Sequence, residues 1–286
     1  PVPLVPPALG GYPPSSGRGP MRYPIDGQTI LITGASDGIG CAIAEQLDGR
    51  AGKLILVARR EDALSTLADR LSTPTRIVPC DLSTADGPSA LLRAVTDESI
   101  DVLVNNAGVT LGGAFADQDL DPVIAMLRLN IEAPLRLIHG LLPSWRARGE
   151  AAVLDVSSVA AFIPCPGQCA YAATKSFLHS FSEGLAGEWH GTGIRMTVLA
   201  PGSTRTAFFR RGGIDETKLP KNFQTPEEVA RVGIRALERG APLVISGRTN
   251  RAMDLAVRLC PRALTRRVAR RILRPLITGE ARTVDA

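Results

Sequence analysis

The sequence of 286 residues is poor in aromatic side chains, histidines and cysteines. Aromatic residues make up 4% of the chain and apolar residues 44%, so aliphatic residues and alanine must fill the core. Five cysteines in a chain of this length do not indicate a disulfide framework, and they show no metal-ligand spacing. We therefore expect a cytoplasmic protein with no metal site and reduced, mostly buried thiols at Cys41, Cys80, Cys165, Cys169 and Cys260.

Long apolar runs are also missing, and no run is long enough to cross a bilayer. An excess of positive charge is confined to the C-terminal region. Residues 248–286 contain ten arginines, no lysine and three acids, which gives +7, whereas the whole chain carries +5 and the remainder is therefore near −2. An enzyme that acts on nucleic acid usually spreads positive charge over its working face. This distribution argues against a nucleic-acid partner.

Composition divides the chain into three parts. Residues 1–20 contain seven prolines and four glycines, which favours a disordered or extended segment, and they lack the pattern of a secretory signal. Met21 follows directly and is a candidate natural start. We predict a Pro-rich disordered extension over 1–24, a catalytic domain over 25–248 and a basic helical extension over 249–286.

Short apolar runs alternate with helical patterns from residue 29 onward. This alternation predicts βαβ units and a mostly parallel sheet with helices on both faces. The predicted fold is therefore a single-domain, doubly wound α/β Rossmann fold of about seven strands. The strand candidates are TILIT, KLILVA, RIVPC, IDVLV, AVLDVS, RMTVLA and PLVIS.

The first strand is followed by a glycine loop and a helix start, TILITGASDGIG. Glycines in this position let backbone N–H groups approach a pyrophosphate at a helix N-terminus. The spacing is G-x3-G-x-G rather than G-x-G-x-x-G, but its place between strand and helix favours a dinucleotide site. The candidate cofactor-binding residues of this loop are Gly34, Ser36, Gly38, Ile39 and Gly40.

The end of the second strand indicates which dinucleotide is bound. NAD-binding folds usually place an acid there, on the ribose 2′-hydroxyl. This chain has Ala58 followed by Arg59 and Arg60, and a guanidinium can pair with a 2′-phosphate. We predict NADP(H) rather than NAD(H); the alternative is a solvated arginine pair ahead of a helix.

A serine, a tyrosine and a lysine have a distinctive spacing in SSVAAFIPCPGQCAYAATK, which spans residues 157–175. Tyr171 and Lys175 are four residues apart, which places them on one face of a helix. Ser158 stands at the end of a predicted strand, with Ser157 as a competing hydroxyl. The three could form a site for proton transfer; the alternative is an ordinary surface pair.

These motifs together resemble the short-chain dehydrogenase/reductase family. The matching pieces are TGASDGIG, CDL at 80–82, NNAG at 105–108, LRLN ending at Asn130, Ser158, YAATK and PGSTRT from 201. They occur in the family's order over residues 29 to about 206. VARRED, the helix YAATKSFLHSFSEGLAGE and VLAPGSTRT are similar to the bacterial DltE-like reductase branch.

The resemblance implies a role for each matching position. Ser158, Tyr171, Lys175 and Asn130 would be catalytic, with Asn130 interrupting a long helix and holding a water that leads to Lys175. Asn106 would stabilise the central strand. Tyr171 and Lys175 would also contact the cofactor, together with Asp81, Leu82, Asn105, Ala107, Gly108, Pro201, Gly202, Thr204 and Thr206. For Asn130 the alternative is a plain polar residue of a helix.

The expected reaction interconverts a ketone or aldehyde and an alcohol by hydride transfer. A free tyrosine has a pKa near 10, and a nearby ammonium lowers it by favouring the phenolate. Tyr171 would then be the general acid or base, and Ser158 would donate a hydrogen bond to the substrate oxygen. The alternatives are a catalytically silent NADP(H)-binding sensor and a dehydratase or epimerase of related fold.

Apolar residues border the predicted site and suggest a lipophilic substrate, although they could simply pack a cover. They are Val159, Ala160, Phe162, Ile163, Ala207, Phe208 and Phe209. The family resemblance implies a homodimer or homotetramer formed through the helices of Asn130 and Tyr171. The apolar residues available there are Ile124, Leu127, Phe177, Phe181 and Leu185.

The C-terminal arginines predict an amphipathic helix between Pro261 and Pro275. Six of them fill about half of its circumference, and the other half is mostly apolar; Leu273 lies among the arginines. The apolar half is Leu264, Val268, Ala269 and Ile272. This half could pack on the domain or on a partner subunit. Alternatively, the helix contacts an acidic partner, either an anionic membrane surface or an acidic acyl carrier. With a membrane as the partner, the protein would be peripheral at the membrane.

Overall fold

The computed structural model describes residues 22–219 and 223–276. Seven parallel strands form one sheet in the order β3-β2-β1-β4-β5-β6-β7, which confirms the predicted doubly wound fold. The strands are β1 (Thr29–Thr33), β2 (Lys53–Ala58), β3 (Thr75–Pro79), β4 (Val102–Asn105), β5 (Ala151–Val156), β6 (Ile194–Ala200) and β7 (Leu243–Ile245).

The α-helices connect these strands and extend beyond the last one. They are α1 (Gly38–Leu47), α2 (Glu61–Ala68), α3 (Gly87–Ala94), α4 (Leu120–Leu127), α5 (Ala133–Arg148), α6 (Cys169–Glu188), α7 (Phe208–Arg211), α8 (Pro226–Glu238), α9 (Arg248–Leu259) and α10 (Arg262–Leu273). No described helix is long and apolar enough to cross a membrane.

Two hydrophobic layers cover the two faces of the sheet, because alternate side chains of a strand point in opposite directions. Ile30 and Ile32 of β1 join a layer with residues of α1, α2 and α8. Leu31, between them, joins a second layer with residues of α3, α5 and α6. The central strands are thus buried on both faces, which explains their continuous apolar runs.

The folded domain begins before residue 25, where the sequence analysis placed its boundary. Tyr23 is 2% exposed, and its phenol donates a hydrogen bond to the Asp101 carbonyl. Its backbone N–H also donates to the Glu238 carbonyl. Residues 22–24 therefore belong to the domain, and the rest of the predicted extension lies outside the described residues.

The predicted basic helix forms as α10, but the face that packs on the domain differs from the expected one. Ala269 is buried, Leu273 is partly buried, and Leu276 in the following 3-10 turn (Arg274–Leu276) is buried. Leu264, Val268 and Ile272 are exposed instead. The Leu273 and Leu276 side chains pack against the segment around Ile214 and Leu219.

Candidate active site

The glycine loop between β1 and α1 is held in a shape that requires glycine. Gly34 and Gly38 have positive φ angles of 66° and 58°, which other L-residues adopt at a cost. A Cβ atom on Gly34 would lie 2.8 Å from the Ala107 Cα atom, and one on Gly38 would lie 2.8 Å from the Thr206 methyl. Asp37 caps α1 by accepting the Gly38 N–H at 2.7 Å. The loop at the N-terminus of α1 therefore has a tight backbone that carries no side chain at Gly34 or Gly38, and this arrangement suits a phosphate group.

Of the two asparagines at the end of β4, only Asn106 lines the cleft, although the resemblance implied that Asn105 would contact the cofactor. Asn106 lies in the cleft wall, and its side-chain amide donates to the Thr33 and Gly34 carbonyls at 2.9 and 3.1 Å. The Asn105 side chain is buried and donates to Asp155 at 2.8 Å. The parallel register of β4 and β5 places Asn105 beside Asp155, so the prediction that the Asn105 side chain lines the cleft is wrong.

Arg59 and Arg60 stand at the opposite end of the cleft from the Ser158 hydroxyl, after β2. Arg59 is 3.9 Å from the Asp81 carboxylate and is exposed over two-thirds of its side chain. Arg60 donates to the Ser36 hydroxyl at 3.3 Å. Arg60 therefore contacts the glycine loop, and both arginines line the cleft with exposed side chains that an anion could reach.

Ser158 and Tyr171 face each other in the cleft. The nearby Ser158 side chain lowers the pKa of Tyr171 by favouring the phenolate, but burial outweighs this effect and raises the pKa well above its ordinary value. The Ser158 hydroxyl oxygen also accepts the Ala160 N–H at 3.1 Å. The competing Ser157 instead donates to the Lys175 carbonyl at 3.0 Å. Only the Ser158 hydroxyl is thus directed at the tyrosine.

Lys175 lies one turn further along α6 and is almost fully buried. Its ammonium donates to the Val156 carbonyl at 2.8 Å and lies 6.0 Å from the Tyr171 ring centre. Burial lowers the pKa of Lys175 to about 8, and the charge of Asp155 opposes that change. The net shift of the Tyr171 pKa is nevertheless upward, because burial of the phenol is the largest effect on it.

Asn130 lies in a π turn (Arg128–Glu132) between α4 and α5. Its amide donates to the Val109 carbonyl at 2.9 Å and to the Thr174 hydroxyl at 3.0 Å. A Cβ atom on Gly108 would lie 3.2 Å from the Asn130 side-chain oxygen and 3.4 Å from the Lys175 ammonium. Gly108 thus keeps the space between these two polar groups open.

A cleft of about 560 Å³ joins these parts. It lies at the carboxyl ends of the strands, where the order reverses between β1 and β4. All the predicted site residues line it except Gly40, Asn105 and Asn130, which lie behind the wall. Gly40 is needed for close packing, since a Cβ atom there would lie 2.4 Å from the Gly34 carbonyl oxygen and from the Asn106 amide.

Residues of α7, α9 and α10 that the sequence did not predict also line the cleft. Arg211 of α7 forms an ion pair with Asp37 of the glycine loop at 2.9 Å, and both line the cleft. Met253 of α9 and Leu273 of α10 also line it. Asn250 packs closely on Gly202, because a Cβ atom on Gly202 would lie 2.3 Å from the Asn250 side-chain nitrogen. These are long-range contacts with no local sequence signal.

The cysteines do not follow the prediction that most are buried. Cys165 is buried, Cys169 is exposed, and Cys41, Cys80 and Cys260 are intermediate. Burial raises the pKa of Cys165 to about 12. This residue is therefore a neutral thiol near pH 7, as expected of a packing side chain in the cleft wall.

The fold and the glycine loop define a dinucleotide-binding α/β protein. The family model for short chain dehydrogenases matches residues 28–216, most of the chain. The protein therefore belongs to the short chain dehydrogenase family of oxidoreductases, which confirms the resemblance inferred from the motifs.

Known proteins show how far the similarity extends. Serine 3-dehydrogenase of Agrobacterium fabrum is 39% identical over 193 residues, which cover 66% of this chain and 77% of that protein. The NADP-dependent 3-hydroxy acid dehydrogenase of Schizosaccharomyces pombe is 33% identical over 236 residues, covering 78% and 91%. The solved structure of a short-chain dehydrogenase from Sphingobium yanoikuyae in complex with NADPH has a TM-score of 0.75 and 30% identity, covering 90% of this chain and 99% of that one. The narrower DltE-like branch stays a prediction.

Proposed function

We propose that the protein is an NADP(H)-dependent oxidoreductase that interconverts a lipophilic ketone or aldehyde and the corresponding alcohol. The observation that carries this proposal is the contact between the Ser158 hydroxyl and the Tyr171 phenol. This contact lies in a cleft that also contains the glycine loop and two exposed arginines. A proton donor and a dinucleotide cradle in one cleft are what carbonyl reduction requires.

The residues present fit the proposed cofactor. Gly34 and Gly38 leave the N-terminus of α1 open to a pyrophosphate. Arg59 and Arg60 offer guanidinium groups to a 2′-phosphate. When bound, NADPH supplies the hydride. The related S. pombe enzyme is NADP-dependent by name, and the Sphingobium structure contains NADPH, which supports the same choice for this chain.

Proton transfer is assigned to Tyr171. Its raised pKa keeps the phenol protonated near neutral pH, so it is ready to give a proton to the carbonyl oxygen during reduction. Lys175, with a pKa of about 8, is mostly charged at pH 7. Its ammonium favours the phenolate that forms when the proton leaves. The Ser158 oxygen accepts the Ala160 N–H, and its hydroxyl hydrogen would be donated to the same substrate oxygen.

A lipophilic substrate is proposed from the lining of the cleft. Ala160 and Phe208 pack against Tyr171. Further apolar residues line the same cleft, namely Val159, Ile163, Phe209, Leu219, Met253 and Leu273. Two apolar residues expected here, Phe162 and Ala207, do not line the cleft. The Phe162 ring instead packs edge to face on the His179 ring, with centroids 4.8 Å apart. The Arg211 guanidinium, which could hold an acidic substrate, already pairs with Asp37. We therefore favour a lipophilic ketone over the hydroxy acids named for the two relatives.

A panel of carbonyl compounds tests this function. The purified protein is mixed with NADPH and with aliphatic, aryl and polycyclic ketones, and nucleotide oxidation is measured together with the alcohol product. L-serine and 3-hydroxybutyrate with NADP⁺ serve as matched polar substrates. We expect turnover with at least one lipophilic class and little with the acids. Tight NADPH binding without any turnover would indicate a silent sensor, and loss of substrate without net nucleotide oxidation would indicate a dehydratase or epimerase.

Self-association is proposed through the outer face of α6. Phe177 is 39% exposed there, and its ring stacks on Phe181 with centroids 5.8 Å apart. Leu120 at the start of α4 is 59% exposed. An exposed aromatic residue on a long helix, stacked on a partly buried one, is typical of a subunit contact. A homodimer or homotetramer stays the prediction, and so does the cytoplasmic location.

A further inference from the structure

The helices α9 and α10 expose apolar side chains that the domain does not cover. The most exposed are Leu255 at 59%, Leu259 at 77%, Leu264 at 47%, Val268 at 46% and Ile272 at 54%. Five such side chains on two short helices are more than the scattered apolar residues of an ordinary surface. We refer to these five residues as the C-terminal apolar face.

Arginines surround this face with almost no compensating acid. The two helices contain eight arginines and one acid, Asp254, which pairs with Arg258 at 2.9 Å. Among the described residues, no ion pair forms at any of the five arginines of α10. On the helical wheel of α10, Leu264, Val268 and Ile272 form a stripe between the buried Ala269 and these arginines.

We propose that the C-terminal apolar face docks on an anionic lipid bilayer, with the arginines contacting the lipid phosphates. Apolar side chains beside a basic face are the composition of helices that lie in a membrane interface. Arginine pairs well with phosphate, and basic residues near an anionic surface are attracted by its negative potential. Pairing this face with the same face of a second copy would instead bring like charges together, which is unfavourable.

The docking element is also a wall of the cleft. Met253 of α9 and Leu273 of α10 line the cleft beside the apolar residues around Tyr171. A bilayer against α9 and α10 would therefore lie next to the compartment proposed for a lipophilic substrate. This link to the substrate rests on the proposed function, whereas the docking itself rests only on the surface residues.

Vesicle sedimentation tests the docking. The full chain is sedimented with vesicles of phosphatidylcholine alone and with vesicles that also contain phosphatidylglycerol. We expect binding to the anionic vesicles only, and weaker binding as salt rises. The triple variant Arg266→Gln, Arg267→Gln and Arg270→Gln should bind at least about tenfold more weakly. The matched control is Arg231→Gln, Arg235→Gln and Arg239→Gln, at two positions of α8 and at the residue that follows it. This control removes equal charge from other exposed side chains and should keep most of the binding.

A second triple variant tests the apolar contribution. Leu264→Ser, Val268→Ser and Ile272→Ser change only exposed side chains, so the fold should persist, as circular dichroism can verify. This variant should lose vesicle binding although all arginines remain. Tyr171→Phe should bind vesicles like the parent, which separates docking from catalysis.

Several results would overturn the proposal. They are absence of binding to anionic vesicles at low salt, equal loss in the α8 control, and unchanged binding after the serine substitutions. A lower mass of the serine variant in light scattering without lipid would assign the face to a second copy. A complex with purified acidic acyl carrier protein, lost in the arginine variant while vesicles are ignored, would assign it to that carrier instead.

Discussion

Asp155 is a buried carboxylate whose charge acts on Lys175. Its oxygens accept hydrogen bonds from Asn105 at 2.8 Å and from Ser182 at 2.6 Å. Burial raises the pKa of Asp155 to about 6, so it is mostly ionised at neutral pH. Its negative charge in turn raises the pKa of Lys175, against the effect of burial. The charge state of the lysine therefore depends on an aspartate that lies outside the cleft wall.

Replacing Asp155 by asparagine should shift the pH dependence of the enzyme. The asparagine retains an oxygen for the Asn105 bond but removes the charge, so the pKa of Lys175 should fall further below its ordinary value. The ammonium is then lost at a lower pH, and the alkaline limb of kcat/KM against pH should move downward. Ser182→Ala is the control, because it removes a hydrogen bond to Asp155 and keeps the charge. An alkaline limb that stays in place in Asp155→Asn would contradict this role.

Arg59 should decide the preference between the two nicotinamide dinucleotides. We expect NADPH to exceed NADH in kcat/KM by at least about tenfold, which corresponds to about 1.4 kcal/mol. Arg59→Ala should reduce kcat/KM with NADPH and leave the value with NADH nearly unchanged, since only NADPH has a 2′-phosphate. Equal use of both dinucleotides by the parent would refute the assignment.

At the scale of the element, the glycine loop depends on both backbone angle and space. Gly34 and Gly49 have similar φ angles of 66° and 70°, but a Cβ atom on Gly49 would meet nothing within 4 Å. Gly49→Ala should therefore cost only the left-handed conformation, about 1–2 kcal/mol. Gly34→Ala should cost about 1–3 kcal/mol more, because its Cβ would overlap the backbone of Ala107. Urea unfolding measures both, and equal losses would show that the close approach at Gly34 is unimportant.

The elements themselves were largely predictable from the sequence. Each strand candidate forms within one or two residues of its predicted position, because buried parallel strands read as apolar runs bounded by turns. The places of Ser158, Tyr171 and Lys175 follow from one strand end and one helical turn, which are local features. The position of Asn105 outside the cleft wall was not predictable, since all of β4 is buried and its sequence shows no alternation that would fix the side-chain direction.

The cover of the cleft was beyond sequence reasoning for a different reason. Met253 and Leu273 reach the wall through the packing of α9 and α10 on distant segments. On the helical wheel Leu273 lies toward the arginines, yet the domain buries that edge and exposes Leu264 and Val268. An amphipathic pattern gives the faces of a helix, but it does not tell which face the rest of the chain covers.

At the scale of the whole molecule, the subunit contact should depend on α6. We expect the parent to have a dimer or tetramer mass in light scattering at micromolar concentration. Phe177→Asp places a charge at the exposed member of the stacked pair with Phe181 and should shift the mass toward the monomer. Leu255→Asp, at an even more exposed position on α9, should leave the mass unchanged. A parent that is already monomeric would rule out the predicted oligomer.

The central claim is that Tyr171 transfers the proton, and Tyr171→Phe tests it most directly. The ring and its contact with Phe208 at 5.7 Å remain possible in this variant, so the fold and the nucleotide cradle should persist. Turnover of the best ketone should fall at least about a hundredfold, in line with the loss of a general acid, while the dissociation constant for NADPH changes little. Turnover within tenfold of the parent, with NADPH binding intact, would contradict the account.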